Sequence, residues 1–151
     1  MTEIEPPRRI LLDTNIFILG YLDLQSPEAV LLENLMNRSN ITLIFSNDLE
    51  EQIRRVGKRL QHKDWVGALL HYIWRSFQVD YVYILPDEII DVEAISDIPS
   101  EDIGIYLTAL RGRADCLVSG NHQFVKDAAE KQKKFECHNT ESFLQLYFPA
   151  N

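Results

Sequence analysis

Four short apolar runs rich in β-branched or aromatic residues recur along the chain, at Ile10 to Leu12, Ile41 to Phe45, Tyr81 to Leu85 and Cys116 to Val118. Runs so short, each bounded by polar residues, read as buried strands. Between them lie stretches with an apolar stripe at helical spacing: Pro27 to Asn37 behind a Ser26 cap, Asp48 to Leu60 behind Asn47, and Asp64 to Phe77. A fourth helix is expected from Glu101 to Arg111 behind Ser100, with Ile103, Leu107 and Leu110 inward, and a last one from Thr140 to Phe148. Strands alternating with helices join by right-handed crossovers. The expected fold class is therefore α/β, a three-layer α/β/α sandwich around a mainly parallel central sheet. Ligands of such sheets bind beyond the C-terminal ends of the strands. No internal repeat or Gly/Ser linker divides the 151 residues, so they read as one domain, with residues 1–8 as a flexible leader. The longest irregular stretch is expected between Pro86 and Pro99.

Composition removes several classes. An apolar fraction of 46% is enough to bury a real core, which excludes wholesale disorder. Cys116 and Cys137 form neither a CxxC pair nor a dense framework, so a disulfide scaffold and a zinc ribbon drop out and a reducing cytoplasm fits best. The apolar run Ile10 to Leu22 follows Arg8 and Arg9 as a signal peptide would, but Asp13 and Asn15 interrupt it and no small-residue cleavage site follows. No stretch reaches the roughly 18 apolar residues of a membrane span. A net charge of −8 argues against nonspecific coating of polyanions.

The acids are informative by position. Asp13 directly follows the first strand, at the end where an open α/β sheet presents its crevice. It is equally placed to cap a helix starting near Thr14. Asp102 falls in the first turn of the fourth helix, where a negative charge gains about 0.3–1 kcal/mol from the helix dipole. Asp115 precedes the fourth strand, and Ser119-Gly120-Asn121 follows it, where a phosphate or metal site would lie.

Taken together, Leu11-Leu-Asp-Thr-Asn-Ile-Phe-Ile18, Pro99-Ser-Glu-Asp102, Ala109 and Ala114-Asp-Cys-Leu-Val-Ser-Gly-Asn121 resemble the PIN domain family of metal-dependent nucleases, in particular its VapC-like single-domain members. Phe135 to Leu144 resembles the family's closing strand and capped helix, so the likeness spans nearly the whole chain. The resemblance implies Asp13, Asp102 and Asp115 as the acidic, metal-binding core, with Asn15 and Ser119 steadying them through hydrogen bonds. It also implies Mg²⁺ or Mn²⁺ and cleavage of RNA to 5′-phosphate and 3′-hydroxyl ends. For many such members it implies the toxin role of a toxin–antitoxin pair, with an antitoxin as partner, and pairing as homodimers. The aromatic helix from Asp64 to Phe77 would supply a dimer contact.

Two departures stand out. The family adds a Glu on the helix after the second strand, where this chain offers Glu50, Glu51 and Gln52. The apolar register of Leu49, Ile53 and Val56 puts Gln52 at the acid's place, whereas counting from Ser46 gives Glu51, the residue favoured here as the fourth catalytic acid. Asn121 stands where many members carry a further Asp, and can coordinate through its carbonyl but brings no charge. Fewer carboxylates weaken the field that holds a hard cation, favouring one firm metal and a second only with substrate.

Electrostatics points to a cation independently. Two carboxylates about 4 Å apart repel by roughly 4 kcal/mol at an effective dielectric near 20. Converging acids therefore require protonation, a basic partner or a metal, and oxygen-only ligands suit Mg²⁺ or Mn²⁺. For substrate, Arg54, Arg55, Lys58, Arg59 and Lys63 form a basic stretch in an acidic chain, beside His62 and Trp65. It reads as a solvated helix face or as a phosphate contact, and Trp65, Leu69, Tyr72, Ile73 and Trp74 read as core or partner surface ahead of a base platform. Arg111, Arg113 and His122 are further candidates for substrate contact, while Lys126, Lys131, Lys133 and Lys134 suit a solubilising face and His138 beside Cys137 suits burial. The expected function is metal-dependent endoribonuclease. The rival is a catalytically degenerate PIN fold that binds RNA or protein, motivated by Gln52 and Asn121.

Overall fold

The computed structural model describes residues 4–95, 98, 100–132 and 134–150. The side chains of residues 93–95, 100, 101, 122 and 131 lie outside that description. The expectations at Pro99 and Lys133, and those at the side chains of Ser100, Glu101, His122 and Lys131, fall outside it as well.

Among the described residues, five parallel strands form one sheet in the order β3-β2-β1-β4-β5. They are β1 (Arg9–Leu12), β2 (Thr42–Ser46), β3 (Gln78–Val82), β4 (Cys116–Val118) and β5 (Glu136–His138). The central strands are buried on both faces: Ile10, Leu11, Leu12, Leu43, Ile44, Phe45, Cys116, Leu117 and Val118 are essentially inaccessible. That is why their sequence is continuously apolar instead of alternating. Helices cover both faces, namely α1 (Thr14–Leu22), α2 (Pro27–Met36), α3 (Asn47–Leu60), α4 (Lys63–Ser76), α5 (Pro86–Ile95), α6 (Ser100–Arg111), α7 (His122–Lys131) and α8 (Thr140–Tyr147). The architecture is the expected α/β sandwich with a parallel sheet.

Local chemistry sets the joints. Ser26 caps α2 by accepting from Ala29 N–H, and Pro27 follows at the first helical position, where its missing N–H costs nothing. Asn47 lies inside α3, and the cap is Ser46, whose hydroxyl accepts from Leu49 N–H. The stretch from Pro86, expected to be irregular, opens as α5. Pro at a helix start is pre-organised, Asp87 and Glu88 in the first turn favour the helix dipole, and Glu88 accepts a hydrogen bond from Leu85 N–H at 2.7 Å. The third strand is Gln78–Val82, set earlier than the apolar run Tyr81 to Leu85 suggests. As an edge strand it is only half-covered and tolerates Gln78 and Asp80, which blur the apolar signal. Trp65 and Tyr72 pack around Tyr21, with ring centroids 5.4 and 5.3 Å from it, as the core reading of that helix requires.

Candidate active site

Leu12 ends β1 in register with Val118 at the end of β4, so Asp13 and Ser119 leave the sheet side by side. Between these two strands the connections diverge to opposite halves of the sheet, the place where an open α/β sheet leaves a crevice. A cavity of about 420 Å³ lies there, lined by side chains that include Asp13, Asp48, Glu51 and Asp102, together with Asn15, Gln52, Asn121 and Arg55.

Asp13 is held from three directions. Its backbone N–H donates to the Val118 carbonyl at 2.9 Å, its Oδ1 accepts from Thr14 N–H at 2.7 Å, and its Oδ2 accepts from the Ser119 hydroxyl at 2.7 Å. It thus caps α1 and faces the cavity at once. Ser119 is fully buried behind it and also accepts from Asn121 N–H at 3.1 Å, tying the start of α7 to the end of β1. Asn121 uses Oδ1 to accept from Phe124 N–H, so its side chain caps α7 as it lines the cavity.

The first turns of α3 face Asp13 from across the cavity. Leu49 and Ile53 are buried, which places Asp48, Glu51, Gln52 and Arg55 along the opposing rim. Glu51 is exposed, whereas Gln52 is half-buried, accepting from the Thr14 hydroxyl at 2.9 Å and donating through Nε2 to Asp48 Oδ2 at 3.1 Å. Burial raises the Asp48 carboxyl above its ordinary value, and the neighbouring Glu51 and Asp13 charges push it the same way against Arg55 and the Gln52 hydrogen bond. Asp102 enters from α6.

Asp115 corrects the expected set. It precedes β4, its Oδ2 accepts from Arg9 N–H at 3.0 Å, and it borders a separate cavity with Arg113, Lys134 and Phe135. A parallel register puts a residue before β4 at the end of the sheet opposite to Asp13, so the two cannot share an ion. Three cations also lie elsewhere than expected. Arg113 lines that far cavity, Arg111 is engaged by the Glu88 carboxylate and the Tyr83 carbonyl, and exposed Arg54 pairs with Glu50 at 3.6 Å. Of the five proposed substrate contacts, Arg55 is placed at the cavity, and His122 begins α7 with its side chain outside the described residues.

Asp48 is the residue sequence reasoning passed over, because an acid in the first turn of a helix has a sufficient local explanation. The available signal was its four-residue spacing to Gln52, which puts the two on one helix face.

The donor set is all oxygen and predominantly anionic, which fits a hard divalent cation. No group of three or more His, Cys, Asp or Glu side chains among the described residues is arranged to hold an ion by itself. Mg²⁺ commonly keeps several waters and uses one or two carboxylates plus substrate phosphates, so a complete protein cage is not required.

Comparison with known proteins bears on the family and the fold. No curated protein matches the chain. A solved structure, that of VapBC2 from Rickettsia felis bound to a DNA fragment from their promoter, shares its fold at a TM-score of 0.60 and 16% identity, over 87% of this chain and 98% of the other. The family model for the PIN domain matches residues 9–123, a span that opens with β1 and includes Asp13, Asp48, Asp102 and Asn121. The chain belongs to the PIN domain family.

Proposed function

We propose that this protein is a metal-dependent endoribonuclease whose site is the cavity at the C-terminal ends of β1 and β4. The observation that carries the reading is the placement of Asp13, Glu51 and Asp102, from three different helices or their caps, around one cavity at the strand-order switch. Asp13 and Asp102 would hold a Mg²⁺ or Mn²⁺ ion. When bound, that ion supplies charge neutralisation at the scissile phosphate and a more acidic water. Ser119 and Thr14 N–H fix the Asp13 carboxylate, so its orientation does not depend on substrate. Glu51, exposed at the rim, accepts the proton of the attacking water. Arg55 faces the same cavity and meets the phosphate. A new bond from water oxygen to phosphorus forms as the bond to the 3′ oxygen breaks, leaving 5′-phosphate and 3′-hydroxyl ends.

The test is cleavage of labelled single-stranded RNA with Mn²⁺ by wild type, Asp13→Asn and Asp102→Asn. Asn at position 13 keeps the helix cap, so loss of activity reports chemistry. Equal cleavage by all three proteins would end the proposal. The likeness to VapBC2 supports an antitoxin partner and a toxin role, which co-purification with the product of a neighbouring reading frame would test.

A second reading has its own support. Amides at Gln52 and Asn121 occupy cavity positions, and both are engaged in structural hydrogen bonds. A PIN fold used to bind RNA or protein would bind RNA equally well with EDTA and with Mn²⁺, and would leave it uncut.

A further inference from the structure

Gln52 and Gly104 act on the same group. The Thr14 hydroxyl donates to Gln52 Oε1 at 2.9 Å, which turns Nε2 toward Asp48, and Nε2 donates to Asp48 Oδ2 at 3.1 Å. An ionised carboxylate only accepts, so this orientation of the amide is the one that satisfies both neighbours. From the facing helix, Gly104 is buried and leaves a space that the Asp48 carboxylate fills, and a Cβ added at position 104 would overlap all three atoms of that carboxylate. Gly in mid-helix costs about 0.5–1 kcal/mol relative to Ala. A carboxylate serving only the dipole of α3 would need neither the amide nor the vacant position, since water would solvate it.

We infer that Asp48 supplies one of the carboxylates that hold the cation in this cavity, and that Gln52 and Gly104 are the residues that position it. The inference rests on the reading of the cavity as a cation site. It assigns the charge that position 52 lacks to a residue one helical turn earlier on the same face of α3. Gln52 is then a positioning residue: its amide holds Asp48 toward the cavity without adding a second carboxylate to repel it.

Calorimetric titration of Mn²⁺ into the full chain tests this without recourse to activity, with circular dichroism to verify folding of each variant. Asp48→Asn should weaken Mn²⁺ binding at least tenfold. Gly104→Ala retains every carboxylate but displaces Asp48, and should weaken binding in the same way. Gln52→Leu removes the orienting hydrogen bond and should cost about tenfold, within the range for groups that orient a metal ligand. Combining Gln52→Leu with Asp48→Asn should add nothing further, because Gln52 acts through Asp48. Mn²⁺ affinity within twofold of wild type in Gly104→Ala and Gln52→Leu, while Asp13→Asn loses it, would overturn the inference and leave the cation site standing. Failure of the wild type to take up Mn²⁺ would overturn both.

Discussion

Asp13 and Asp115 stand at opposite ends of one ladder: Asp13 follows the Leu12–Val118 pair and Asp115 precedes the Ile10–Cys116 pair. At about 3.3 Å per strand residue the two levels lie about 13 Å apart. Asp115 instead joins the Arg9 N–H to the start of β4, and its own N–H donates to the Arg9 carbonyl at 2.8 Å. Asp115→Ala is therefore expected to leave Mn²⁺-dependent RNA cleavage within about twofold and to lower stability by about 1 kcal/mol, the usual value of one such hydrogen bond. Urea denaturation and a cleavage assay on the same preparation check both, and a folded but inactive variant would return Asp115 to the site.

Ser119→Ala should weaken both the fold and the site. The buried hydroxyl serves Asp13 Oδ2 and Asn121 N–H together, so its removal leaves two groups short of a partner. The expected cost is about 1–3 kcal/mol of stability, with a marked fall in Mn²⁺ affinity as Asp13 loses its fixed orientation. Unchanged affinity in a folded Ser119→Ala protein would show that Asp13 needs no such support.

Arg113 adopts a left-handed backbone, φ 50°, just past the end of α6, where Ala114 N–H donates to the Ala109 carbonyl at 3.0 Å and closes the helix. A glycine is the residue that ends helices this way at least steric cost. Arg113→Gly should raise stability by about 0.5–1 kcal/mol and leave cleavage unaltered. A lower urea midpoint would contradict the assigned strain.

Stability in acid should report Glu136. Burial opposes its charge, but hydrogen bonds from His138 and Tyr147 outweigh that and hold the carboxyl below the ordinary 4.5. The folded chain therefore binds this proton at lower pH than the unfolded chain does. The resulting stability is present above the ordinary value and is lost as pH falls through the depressed one. Glu136→Gln should melt below wild type at neutral pH, with the gap narrowing as pH falls below the ordinary carboxyl value. A gap that persists unchanged in acid would assign the effect to packing of Tyr147.

The sheet was legible because burial on both faces writes itself as continuous apolar runs, and Ser26 announced its helix by chemistry that acts within three residues. Asp13 was legible for both of its tasks, since strand end and helix cap coincide there. The start of α5 was hidden because Pro86 breaks a helix in its interior yet favours one at its first position, and sequence alone does not say which applies. Asp115 misled because an acid beside a strand has the same sequence appearance at either end, and only the parallel register decides which end holds the crevice. Asp48 was obscured by its adequacy as a first-turn acid, and the glycine that accommodates it is fifty-six positions further along the chain.

The double engagement of Asp13 constrains how such a protein could drift. Because one side chain ends β1, starts α1 and receives the Ser119 hydroxyl, a lineage released from selection for cleavage would still be penalised for placing an aliphatic residue there. Retirement from catalysis would leave Asp, Asn, Ser or Thr at that position. An acid at position 13 in any descendant is thus weak testimony of a living enzyme, and the informative inheritance is what happens at positions 48, 52 and 104.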